Sequence, residues 1–446
     1  MAGAVTPAFL GRGSTIVSEP AKSNRPPHDG EARQPARLPA ALVGAWAEAG
    51  LDGCVLLAAP LLAMIPRGMA PLAAFAGLCG LALIAARPAV GAGMNAMRRP
   101  AVLLGALLLW GMASALWSID AGRSVMLDFR LAGLFAAALA MTAAVGRIAA
   151  PWRLALCLFA GTAIGILMAG IDWESAGGLS RLVSVRAFLG PRLNQIAVWL
   201  AILTLPTAAL LACRRRWLLA MIAAAIMAGT VFDFEGTTAK TALLLGLPVA
   251  GLLYVAQRFV ARLAAVVAVI AIITAPLTLP RLDHLPNVFS RADTFKVSAG
   301  HRLMIWAFTG DRIAERPAAG WGLDSSRNIP GGNVEIRPGE TWLPLHPHDA
   351  ALQVWLELGA PGAVLFAALI GLLWLRLAEA PWPRLYAAAA GGSLTTALAV
   401  ALAGWGIWQE WWLSTLSLAL FVTLTMARAT VVGRKSVAPS AVRHAP

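Results

Sequence analysis

The sequence predicts an all-α polytopic integral membrane protein of about twelve membrane-spanning helices, with one large polar loop between the ninth and tenth. Three observations predict it. Of 446 residues, 59% are hydrophobic and only 13% are charged, whereas a soluble globule carries about 25% charged residues. The apolar residues are gathered into runs of the roughly 20 residues that a bilayer crossing needs. The arginines collect in every second break between those runs, as membrane topology requires. A mean hydropathy of +0.72 agrees.

The elements follow in chain order. Residues 1–40 are rich in Pro, Arg, Ser and Gly and lack the apolar core of a signal peptide. They read as a disordered tail carrying Arg12, Lys22, Arg25, Arg33 and Arg37. Residues 41–280 hold nine expected spans, near 48–65, 69–86, 100–117, 126–145, 152–171, 193–213, 216–234, 238–257 and 259–280. Residues 281–349 form the polar loop. Residues 350–427 hold three more spans, near 350–375, 384–403 and 408–427, and 428–446 form a second tail with Arg428, Arg434 and Lys435.

Loop charges set the expected orientation. With the N-terminus inside, the inner loops carry Arg87, Arg98 and Arg99, then Arg147 and Arg153, then Arg214, Arg215 and Arg216, then Arg258 and Arg262, then Arg376 and Arg384. The opposite short loops mix acids with bases: Asp120, Arg123 and Asp128, then Asp172, Glu174 and Arg181, then Asp233 and Glu235. This alternation places both tails inside and the large loop outside. The net charge of +14 then reflects topology, and no nucleic-acid partner is expected. Seventeen Trp against two Tyr, many near span ends, suit anchors contacting membrane lipids. Cys54, Cys79, Cys157 and Cys213 lie in or beside apolar runs and none in the loop, so neither a disulfide nor a cysteine metal site is expected.

The loop concentrates the chemistry-bearing residues, and ionisable groups at a membrane are functional candidates. It holds His284, His301, Arg302, Trp306, the turn Gly320-Trp321-Gly322 and the run His346-Pro347-His348-Asp349. The chain has no phosphate-cradling Gly-rich loop with Lys-Ser/Thr and no dinucleotide fingerprint. Gly161-x-x-x-Gly165 reads as a site of close helix packing. An outward-facing site meets no nucleotide donor, so any group transferred there arrives on a donor carried in the membrane.

Several motifs resemble the bacterial O-antigen ligase and O-antigen polymerase superfamily. His348-Asp349-Ala350-Ala351-Leu352-Gln353-Val354-Trp355-Leu356-Glu357-Leu358-Gly359-Ala360-Pro361-Gly362 is similar to its loop-to-helix motif. Arg302-x-x-x-Trp306, Arg316-Pro317-x-x-Gly320-Trp321-Gly322 and the stretch Arg186 to Asn194 also resemble it. Thr237-Thr238-Ala239-Lys240 stands where the family has Ser-Arg or Ser-Lys, and Trp117-Ser118-Ile119-Asp120 is a weaker echo. The resemblance covers about residues 110–365.

The resemblance implies transfer of a glycan from undecaprenyl diphosphate at the periplasmic face of the inner membrane, with both tails cytoplasmic. The acceptor is a lipid A-core sugar for a ligase and another lipid-linked glycan for an O-antigen or exopolysaccharide polymerase. The residue types suit that chemistry. Arg offers planar, always-charged donors to a diphosphate, and His is a base near neutral pH. His348 and Arg302 are therefore expected to be catalytic, with Arg186, Arg192 and Lys240 binding the diphosphate. No cofactor and no metal are expected: His346-x-His348-Asp349 has metal-ligand composition but no well-placed third ligand unless His301 or Glu340 folds back.

Each expectation has a plainer rival. His348 could cap a helix or bond a loop. Arg302 could pair with Asp311 or Glu315. Arg186 and Arg192 could snorkel to headgroups, and Lys240 could be an anchor. His346 lies two residues from His348 in an extended Pro-containing turn and is expected to point elsewhere, as a supporting residue. Trp306 marks the packed face of a helix shared with Arg302, and Trp321 is expected to pin its turn. Two other classes make different demands on the sequence. A transporter or flippase would show internal repeats and charged or broken helices at the midplane, and neither is evident. A non-catalytic scaffold would keep its activity without His348.

Overall fold

The computed structural model describes residues 39–88, 92–183 and 193–435. Residues 1–38 of the expected N-terminal tail, Arg186, Arg192 and residues beyond Lys435 lie outside them. The helices are α1 (Ala40–Met64), α2 (Met69–Ala86), α3 (Ala92–Ser114), α4 (Ala121–Ala144), α5 (Pro151–Glu174), α6 (Gly178–Val183), α7 (Leu193–Cys213), α8 (Trp217–Asp233) and α9 (Thr237–Thr278). After the loop helices α10 (Val288–Phe295) and α11 (Val297–Glu315) come a hairpin of β1 (Glu335–Arg337) and β2 (Glu340–Thr341), then α12 (Ala350–Ala378), α13 (Arg384–Ala401) and α14 (Glu410–Lys435). Among the described residues eight helical stretches, containing α1, α2, α4, α5, α7, α9, α12 and α14, are long and apolar enough to cross a bilayer. The chain is an all-α multi-pass membrane protein. Each of the twelve expected segments overlaps a helix, with two of them merged in α9.

That merger has a local cause. A straight helix of 42 residues would run roughly 60 Å, twice the hydrocarbon core. Instead α9 breaks at Ala256 (φ −139°, ψ 63°). The next residue, Gln257, donates its amide to the carbonyls of Leu377 and Ala380 at the far end of α12, at 2.8 and 3.3 Å. The break is thus a turn between two antiparallel halves of one helical run. Elsewhere small residues let backbones touch: a Cβ on Gly161 would lie 2.2 Å from Leu56 O, and one on Gly165 would lie 2.7 Å from Ala59 Cβ. The Gly161-x-x-x-Gly165 pair therefore packs α5 onto α1.

The second break carries the loop. Within α12, Gly359 adopts φ +61°, ψ −161°, a conformation essentially restricted to glycine. The interrupted ladder leaves nearby backbone groups for other partners. Trp321 N donates to Leu356 O at 2.9 Å, Gly322 N to Glu357 O at 2.8 Å, and Ala360 N to Pro317 O at 2.9 Å. Trp110 Nε1 takes Leu358 O at 2.8 Å. Gly320 (φ +70°) permits this approach, since a Cβ there would sit 2.4 Å from Glu357 O. The Glu-Leu-Gly turn and the Gly-Trp-Gly turn are two halves of one backbone junction.

Candidate active site

His348 occupies the left-handed region (φ +59°), which is rare and strained for a residue with a Cβ. That turn delivers the chain into α12, where Asp349 is the N-cap and accepts from Leu352 N at 2.8 Å. Burial pushes the Asp349 carboxyl up to about 7, against the N–H groups of Leu352 and Ala351. The turn also corrects an expectation. His346 does not point away: its ring centroid lies 4.3 Å from that of His348, because the left-handed residue folds the segment back on itself.

The two imidazoles have different surroundings. His348 Nδ1 lies 2.7 Å from Gly404 O. A carbonyl only accepts, so Nδ1 carries the proton, and Nε2 is left as the lone-pair nitrogen of a ring that lines a pocket. Among the described residues no protein group bonds Nε2. Burial lowers the His348 pKa, the Gly404 bond opposes this, and the charges of Arg302 and His301 add to the lowering. His346 is buried, with Nδ1 3.2 Å from His348 N and Nε2 3.1 Å from Gly406 N. Both neighbours are donors. A neutral ring accepts from one of them, whereas an imidazolium would set N–H against N–H at both. Burial first, then the neighbouring His348, Arg327 and Arg302, pushes its pKa down to about 3. His346 therefore positions the backbone of His348 and of the turn after α13.

The pocket, of about 260 Å³, gathers residues distant in sequence. Asn194 and Val198 come from the start of α7, and Thr237, Thr238 and Ala239 from the start of α9. Lys296, Ser298 and Arg302 come from the loop, and Gly404 and Trp405 from the turn before α14. Arg302 has no ion-pair partner among the described residues, and burial alone lowers its pKa. Its expected rival partner Glu315 pairs with Arg312 at 2.5 Å. One turn along α11, Trp306 Nε1 donates to Pro347 O at 3.0 Å, so this helix presents Arg302 and steadies the approach to His348. Trp321 is buried, donates Nε1 to Arg312 O at 2.9 Å, and lies 4.0 Å beneath the Arg316 guanidinium. Lys240 does not line the pocket. It follows the lining residue Ala239 by about 100° of helical turn.

Glu357, within the loop-to-helix motif, is a residue to which motif spacing assigns no role. It is fully buried and accepts from Asp324 N (2.7 Å), Gln353 Nε2 (3.0 Å), Trp408 Nε1 (2.7 Å) and the Ser326 hydroxyl. Gln353 Oε1 in turn accepts from Ile407 N at 2.9 Å. One carboxylate thus ties α12 to the loop and to the turn that bonds both histidines. A lone acid in an apolar span was the available signal. Lys296, Glu235 and Trp405 also line the pocket; a single Lys in a polar loop gives no sequence signal.

Residues 222–367 match the model of the O-antigen ligase family. A protein of Rickettsia conorii, named as a proposed polysaccharide ligase, is 28% identical over 274 residues, covering 59% of this chain and 64% of that protein. A Rickettsia bellii protein named in the same way is 26% identical over 292 residues, covering 63% of this chain and 69% of that protein. The chain spans just under two thirds of the first relative's length. Lys296, Arg302, His346, His348 and Glu357 fall inside the matched range, whereas Arg186, Arg192 and Gly404 fall outside it. The resemblance read from the motifs is met by an independent match: the segment that carries the two histidines and Arg302 lies within the residues similar to the O-antigen ligase family.

Proposed function

We propose that the protein transfers a glycan from undecaprenyl diphosphate to an acceptor hydroxyl at the periplasmic face of a bacterial inner membrane, in the manner of an O-antigen ligase. The supporting observation is that a neutral imidazole and a guanidinium without a carboxylate partner share one pocket, where spans α7 and α9 begin. In this reading the acceptor oxygen attacks the anomeric carbon of the donor sugar while His348 Nε2 takes its proton. The bond from that carbon to the diphosphate oxygen breaks, with inversion, and the charge left on the lipid diphosphate is held by Arg302 and Lys296. The fixed cations take the role a metal has elsewhere in phosphate chemistry, so no metal is assigned. Arg186, Arg192 and Lys240 remain proposed diphosphate contacts from the motifs. The relatives' names favour a ligase over a polymerase, and the lipid A-core acceptor is the one the motif resemblance implies for a ligase. The arginine-rich loops support a cytoplasmic location for the opposite end and for both tails.

The test is reconstitution in proteoliposomes with lipid-linked glycan and a lipid A-core acceptor. Glycosylated core should form with the wild type and not with His348→Ala, and EDTA should leave the rate unchanged. Extension of a second lipid-linked glycan in place of core would make the protein a polymerase. Transfer onto neither would end the proposal. Orientation is checked separately: single cysteines at Ser298 and Asn333 should label from the periplasmic side, and one at Ala212 should not.

A further inference from the structure

We propose that the corner between α10 and α11, residues 294–298, is seated in the lipid headgroup layer and forms the doorstep over which a lipid-borne anion enters the His348 pocket. Phe295 is 77% exposed and Val297 57% exposed, and they flank Lys296, which lines the pocket. Leu285, on the approach to α10, is 50% exposed. The polar side of the same short helix is already engaged: Asp293 pairs with Arg337 of β1 at 2.9 Å. The apolar corner is left without a protein partner among the described residues.

Its depth follows from the pocket. Lys296 and Ser298 share that cavity with Asn194 and Val198 at the start of α7, and with Thr237, Thr238 and Ala239 at the start of α9. Both helices are long and apolar enough to span the membrane. The corner therefore lies level with the point where the chain enters the hydrocarbon, not out in water. Exposed Phe and Val beside Lys296 and Arg291 form the combination that settles at a bilayer interface, apolar groups in the acyl boundary and cations among the phosphates. Lys296 then faces the headgroup plane on one side and the pocket on the other. An anion carried on a lipid tail passes from one to the other without leaving the membrane surface. The location rests on geometry alone; only the identity of the anion as a lipid diphosphate rests on the function proposed above.

The experiment has two arms. In a background with all four native cysteines replaced by alanine, Phe295→Cys carries a polarity-sensitive fluorophore in lipid nanodiscs that contain nitroxide-labelled lipid. The label should be quenched by that lipid about as strongly as one at Leu244→Cys on α9, while one at Asn333→Cys should be quenched only by aqueous iodide. A label at 295 quenched by iodide alone overturns the proposal, and so does one reached by neither quencher, which would mean a protein partner. In the second arm, Phe295→Ser combined with Val297→Ser should raise KM for a long-chain lipid-linked donor on the order of tenfold with kcat unchanged. KM for a short-chain, water-soluble donor should not move. An unchanged KM for the long-chain donor also overturns it. Absence of transfer by the wild type would sink the assigned function and leave the depth measurement to decide the location.

Discussion

At the arginine-rich end of the bundle, Arg87 meets Glu48 at 2.6 Å and Arg153 meets Asp52 at 2.5 Å. Arg87 and Arg147 each donate to the other's backbone carbonyl, at 2.8 and 3.0 Å. Arg214 reaches Ala429 O at 2.7 Å, and Arg428 bonds Ile148 O at 3.0 Å as well as Val145 O. These cations tie helix ends together. At the loop end, Arg302 is half-buried with no carboxylate partner among the described residues. A desolvated cation without a counter-charge is costly. Where the fold could have paired it and does not, the cost points to a ligand that supplies the missing charge. Residue type alone did not separate these roles, because both ends are rich in Arg.

Substitutions can break this contrast. The largest effect is expected at His348. His348→Ala should lower the transfer rate roughly 10²–10⁴-fold, let lipid-linked donor accumulate, and leave the protein inserted with an unchanged melting temperature. Residual transfer near the wild-type rate would remove the base role. Next comes a matched pair. Arg302→Lys keeps the charge and loses the two-pronged geometry, so kcat should fall on the order of a hundredfold at constant stability. Arg87→Gln should do the reverse, removing the nearer of the two cations beside buried Glu48 while Arg153 stays 3.7 Å away, at a cost of about 1 kcal/mol, seen as a lower melting temperature with normal kcat. If the two variants behaved alike, the contrast between the ends would be false.

Smaller effects sharpen it. His346→Ala should cost only about tenfold in kcat, since it removes a backbone support and not a reacting group. The smallest concerns pH. A base is active when deprotonated, so activity is full above its pKa and is lost as pH falls through it. Burial holds the His348 pKa below the ordinary 6.5. The acid limb of kcat/KM should therefore lie below pH 6.5. In Arg302→Gln, whose lost charge contributes to that lowering, the residual activity should show the limb moved upward.

Much of the architecture was legible because hydropathy and loop charge are local properties of the chain. Each expected apolar run became a helix, and the loop emerged where the apolar pattern stopped. Motif spacing singled out His348 and Arg302, and the structure brings them to one pocket. What stayed hidden depends on contacts between distant segments. The turn at Ala256 is completed by carbonyls near residue 380. The side-by-side histidines need a left-handed His348, which no local pattern announces. Lys296 acquires meaning only when α7 and α9 come to stand beside it.

The break at Gly359 has a mechanical consequence. Residues 350–358 form a short rod whose Leu356 and Glu357 carbonyls are bonded to the loop and whose Leu358 carbonyl and Trp355 ring are bonded to α3 and α9, while residues 360–378 continue the helix beyond the break. A span adjusts to bilayer thickness by tilting. With the ladder interrupted at Gly359, residues 360–378 can take up such a tilt separately from residues 350–358. If the break decouples the histidine from the membrane's thickness, transfer rates measured in thin- and thick-chain bilayers should nearly coincide.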